Sequence, residues 1–128
     1  MTLLESAATA VLGRRIEPPR SLPGLIPAGV VLRRGRLIPW IGGFFARMPS
    51  PAAAVTLGRT IIFDPETPVS RRLLVHELTH VRQWRADPLF PIRYTLASLR
   101  HGYQNNPYEV EARLAAGSTE NPSTEKPS

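Results

Sequence analysis

The sequence predicts an α+β domain, a small antiparallel sheet followed by one long helix and two further helices, on three observations. Short β-branched or apolar runs broken by glycine and proline fill residues 30–63, as expected of strands and turns. After "DPETP" at 64–68 the apolar spacing becomes helical and holds to about Ala86. Two later segments carry helix start and stop signals of their own. At 128 residues the chain has the length of one domain with a single core.

Taken in order, "MTLLESAATAVLGRR" reads as a short amphipathic helix. Its Glu5 lies within the apolar residues and its arginines follow them, the wrong polarity for a secretory signal, so a cytoplasmic location is expected. "EPPRSLPGLIPAG" (17–29) is a connecting loop by its proline and glycine content, which makes residues 1–29 an N-terminal helix and proline-rich linker. "VVLRR", "RLIPWI" and "AAAVTLGRTIIF" are then expected as short strands, with Val55–Leu57 and Thr60–Phe63 paired around Gly58-Arg59. The run "LIPWIGGFFA" (37–46) is too short to span a bilayer.

For the long helix, Thr67 is the expected cap and Pro68 the first helical residue, with Asp87-Pro88 as the stop. A second helix should run from about Pro91 to His101 and close on Gly102. "NNPYEVEARLAAG" should form a third, capped by Asn106, with Pro107 first and Gly117 at its end. The main domain is therefore expected over 30–117. The tail "STENPSTEKPS" (118–128) lacks apolar residues to offset its ordering entropy and is expected to be disordered.

The net charge is +6, and 15 of the 16 basic residues are arginine. They are scattered as pairs and singles, with few aromatics between them and no nucleic-acid-binding signature, so no specific nucleic-acid partner is expected. No transmembrane segment is expected either, although a basic surface is compatible with contact at a membrane surface. Without cysteine, a metal could be held only by histidine, carboxylate and water.

The stretch "LLVHELTHVRQW" (73–84) carries the chemistry. A spacing of four places His76 and His80 at neighbouring points on one helix face, able to direct imidazole nitrogens at one ion. With His76 at zero and about 100° per residue, His80 falls near 40° and Glu77 near 100°, inside the arc of Leu73, Trp84, Val81, Leu74 and Leu78. Arg82, Thr79 and Arg72 occupy the opposite side. Lone histidines are more often plain surface or core residues. A carboxylate turned inward between two inward histidines is costly unless compensated, and a divalent cation compensates all three. Zn2+ suits imidazole and carboxylate ligands and keeps a position for water when the protein supplies three.

Two histidines leave such a site incomplete. Downstream, His101, Glu109 and Glu111 are candidates for the third ligand. Glu109 and Glu111 are two apart and cannot share a helix face, so one should point inward. Glu109 could instead complete a capping box with Asn106, and Glu111 could be a solvated first-turn carboxylate; spacing leaves the choice open. His101, just before a glycine, could be a ligand, an oxyanion donor, or an exposed helix-end histidine.

With "HELTHVRQW" and "GYQNNPYEVEA" both in view, the chain resembles the gluzincin class of zinc metallopeptidases. It is most similar to compact bacterial HExxH domains of largely uncharacterised function, over roughly residues 50–116. The resemblance implies a minimal zincin-like domain in which His76, His80 and Glu109 hold Zn2+ and Glu77 is the general base. It also implies a peptide or protein substrate, hydrolysed through a metal-activated water. Tyr103, Tyr108 or His101 could support the oxyanion, and Gln83 and Tyr108 fit the group's pattern. Related gluzincins usually carry an aspartate four residues after the ligand glutamate, where this chain has Arg113. That departure leaves an alternative from another class, a catalytically weak or inactive zinc-stabilised binding or assembly module. The "TLGRTIIF" run is a candidate edge for pairing with an extended peptide.

Overall fold

Alternating and β-branched residues at 54–63 form the predicted hairpin. In the computed structural model, which describes residues 2–22, 24–46 and 50–117, strand β3 (Ala54–Leu57) pairs antiparallel with β4 (Thr60–Phe63), Leu57 opposite Thr60. Gly58 turns the corner at φ 63°, a left-handed conformation that both primed hairpin turns require at this position. The tail at 118–128, expected to be disordered, lies outside the described residues.

The element order is α1 (Leu3–Leu12), β1 (Arg14–Arg15), β2 (Val31–Arg34), α2 (Leu37–Phe45), β3, β4, α3 (Arg71–Ala86), α4 (Phe90–His101) and α5 (Pro107–Gly117). The chain divides into two compact units, Met1–Val69 and Ser70–Ser128. The fold class is α+β as expected, with two differences in the first unit.

The sheet is mixed, in the order β1-β2-β4-β3, because β2 runs parallel to β4 while the two outer pairs are antiparallel. The parallel pair follows from the second difference. "RLIPWI", expected as strand, instead enters helix α2, and a helical crossover is the usual way to return a chain parallel to itself. Strand-like composition loses here to a close approach: a Cβ on Gly43 would collide with the Ser50 carbonyl, and one on Gly42 with the Val55 side chain. The two glycines let α2 sit against the segment entering β3. β4 is consequently an interior strand, with Ile61, Ile62 and Phe63 all fully buried, so of the two hairpin strands β3 is the one at a sheet edge, where an extended peptide could pair.

At the end of the first unit the Arg34 guanidinium donates to the carbonyls of Asp64 and Thr67, each at 2.9 Å. This holds "DPETP" as a turn and keeps Thr67 from capping. Helix α3 accordingly starts one turn later than expected, with Ser70 Oγ accepting the Leu73 N–H at 3.1 Å.

In the second unit α3 packs against α5 and α4. Ala112 and Ala116, one turn apart on α5 and buried, permit close helix packing, and Leu74, Val81 and Phe90 complete the core. Thr79, placed on the outer side of the helical wheel, is buried instead, its hydroxyl donating to the Val75 carbonyl. Gln83 is buried too, because α5 lies along that side of α3. The start of α5 is fixed by fully buried Asn106, whose Oδ1 accepts the Tyr108 N–H while its Nδ2 donates to the Tyr94 carbonyl and Ser98 Oγ on α4. α4 leaves Leu89, Ile92, Leu96 and Leu99 at 50, 58, 60 and 79% exposure, a stripe along its outer face. Among the described residues no helix is long and apolar enough to cross a membrane.

Candidate metal centre

Helical spacing on α3 and a first-turn glutamate on α5 bring three side chains together. His76 Nε2 lies 3.0 Å from Glu109 Oε1, and His80 Nε2 lies 3.2 Å from both oxygens of the same carboxylate. The two imidazole rings stand 5.0 Å apart at a steep angle. Among the described residues, these are the group of three histidine or carboxylate side chains that could hold a metal ion, their donor atoms all within 4.8 Å of one another. The histidine-to-carboxylate separations suit one small cation, since tetrahedral donors at about 2.0–2.1 Å from an ion are roughly 3.3 Å apart.

Glu77 is buried beside the group, its Oε2 3.9 Å from His76 Nε2. Glu109 is buried as well. Burial alone would raise its pKa, but hydrogen bonds from His76 and His80, the His80 charge and the Tyr94 hydroxyl hold its carboxyl well below the usual range. Burial disfavours the His80 cation, yet the hydrogen bond and charge of Glu109, the charge of Glu77 and the Gln83 oxygen outweigh it and raise His80 to about 9. A positively charged centre is what this carboxylate-rich pocket favours.

The third-ligand candidates separate cleanly in space. Glu109 reaches the histidines; Glu111 lies on the outer side of α5, where its Oε1 accepts from Gln83 Nε2 at 2.8 Å. His101 is exposed at the end of α4 and does not join the group. Tyr103 is half-buried and faces the carboxylates, its hydroxyl pKa raised by burial and then by Glu109 and Glu77. The Tyr108 ring instead packs edge-on against Phe90 at 5.1 Å, while the Tyr108 carbonyl accepts from Gln83 Nε2 at 3.1 Å. Arg113 donates to the Gln104 carbonyl, and its charge opposes the upward shift at Tyr103.

Sequence reasoning missed Tyr94. Its hydroxyl donates to Glu109 Oε2, and burial followed by that carboxylate raises its pKa. The available signal was the Phe90–Tyr94 pair, four apart on α4, with ring centroids 5.6 Å apart and Trp84 adjoining. A surface cavity lined by Thr9, Gly13, Arg14, Arg34 and Leu37 belongs to the first unit and contains none of these residues.

A family model described as the eCIS core domain matches residues 47–88. The matched segment spans the β3–β4 hairpin and the whole of α3, so it includes His76, Glu77 and His80 and ends before Tyr94 and Glu109. No curated protein and no solved structure gives a match.

Proposed function

We propose that this chain is a zinc-dependent peptide hydrolase. The convergence of His76, His80 and Glu109, with Glu77 buried beside them, carries the reading. The three would hold Zn2+, which when bound polarises a carbonyl oxygen and makes a coordinated water more acidic. Glu77 accepts the proton of the attacking water and delivers it to the leaving amine. Tyr103, facing the same carboxylates and kept protonated by its raised pKa, would donate to the developing oxyanion. Tyr94 and Gln83 hold the carboxylate and one imidazole in place.

Glu77→Gln tests this directly. Zinc content should stay at the wild-type level while cleavage of an unfolded protein falls by about 10²–10⁴-fold. Unchanged cleavage in that variant would exclude Glu77 as the base.

A second reading keeps the metal and drops the chemistry, leaving a zinc-stabilised binding or assembly module. The exposed apolar stripe of α4 and the substitution of Arg113 favour it. It predicts no zinc-dependent cleavage by wild type and unaltered behaviour of Glu77→Gln.

A further inference from the structure

Resting on the zinc reading, we infer that Gln83 and Glu111 form a positioning relay that fixes the orientation of His80 and which of its ring nitrogens faces the metal. His80 Nδ1 lies 2.7 Å from Gln83 Oε1. At the other end of that amide, Gln83 Nε2 lies 2.8 Å from Glu111 Oε1 and 3.1 Å from the Tyr108 carbonyl.

The direction of the relay follows from which groups can donate. A backbone carbonyl and a carboxylate only accept, so the Gln83 NH2 must face Tyr108 and Glu111. The amide oxygen therefore faces His80, and it too only accepts. His80 Nδ1 must carry a hydrogen, which commits Nε2, on the Glu109 side of the ring, to being the metal-binding atom. The glutamine is buried and has both ends engaged, so it cannot rotate without leaving a polar group unpaired. Glu111 is exposed and acts through Gln83, with no contact of its own to the triad. One turn of α3 thus supplies a ligand and its orienting partner, and α5 supplies both the third ligand and the anchor for that partner. Outer partners of this kind tune metal affinity by about 10–100-fold.

The test measures zinc affinity by chelator competition on the full chain, with thermal melts to verify folding. Gln83→Leu should weaken zinc binding about 10–100-fold. Glu111→Leu should weaken it less, and Glu111→Gln, which keeps an acceptor for the amide, less again. Because Glu111 acts only through Gln83, adding Glu111→Leu to Gln83→Leu should cost nothing further. In histidine-labelled protein, an exchange-protected Nδ1–H resonance of His80 should be present in wild type and lost in Gln83→Leu. A folded Gln83→Leu with wild-type affinity, or additive effects of the two leucine variants, would overturn the relay. If the wild type takes up no zinc, the metal reading fails and the resonance decides: its presence in wild type and loss in Gln83→Leu support the relay, its absence in wild type overturns it.

Discussion

Tyr94 on α4 donates its hydroxyl hydrogen to Glu109 on α5, the same carboxylate that faces both histidines of α3. The three helices of the second unit therefore meet at one side chain. Tyr94→Phe keeps the ring against Phe90 and removes only the donor. It should destabilise the metal-free protein by about 2 kcal/mol, the scale of a hydrogen bond to a charged group. Zinc affinity should fall about tenfold. A urea titration and chelator competition on the same samples measure both.

Glu109 and Glu111 make the sharpest contrast in zinc content. Elemental analysis should find near-stoichiometric zinc in the wild type, in Glu111→Ala and in His101→Ala, and loss of zinc in Glu109→Ala. Glu111→Ala should lower affinity without emptying the site. Zinc retained by Glu109→Ala would refute the two-histidine, one-glutamate set.

The metal-free protein and its zinc uptake should respond oppositely to pH. The folded-state pKa of His80, raised from 6.5 to about 9, adds stability that is complete below about pH 6.5 and lost as pH rises through 9. Glu109, held low, adds stability present above its ordinary pKa of 4.5 and lost as pH falls further. Melting temperature without metal should therefore peak between about pH 4.5 and 6.5 and decline toward pH 9. Zinc binding must displace the His80 Nε2 proton, so its affinity should rise over that range, by up to about tenfold per pH unit for each proton released. Melts and chelator competition across pH 5–9 check both trends; parallel trends would count against His80 as a ligand.

Asn106 tests whether α5 is positioned from α4. Asn106→Ala removes the cap on the Tyr108 N–H and the side-chain donor to the Tyr94 carbonyl and Ser98 hydroxyl. A loss of about 2–3 kcal/mol is expected in denaturant unfolding. Asn106→Asp keeps the cap but sets a buried carboxylate oxygen against the Tyr94 carbonyl, and should cost at least as much.

The parts of this molecule set by local rules were legible in the sequence. His76 and His80 share a face because four residues nearly complete a turn; Asn106-Pro107 and Gly58-Arg59 announce a helix start and a hairpin corner. What pairs at a distance was not legible. β1 consists of two arginines and is a strand only because β2 accepts it, and α2 is a helix because its glycines fit against the approach to β3. The start of α3 moved from Thr67 to Ser70 because Arg34, thirty residues upstream, holds the turn at Asp64. Three tyrosines sit near the motif in sequence; that Tyr94 donates to Glu109 is set by the packing of α4, which no local pattern reveals.

His76 and Glu109 are 33 residues apart in sequence and 3.0 Å apart in space, in a chain without cysteine. A metal bridging them would close that loop as a disulfide does, and a loop of this length restricts the unfolded chain by about 4 kcal/mol in the loop-entropy treatment. Catalytic readiness and mechanical cohesion would then have one origin. A chelator would do more than silence such an enzyme: it would leave the helical bundle folded but less stable, so that it opens more often and is cut more readily by other proteases.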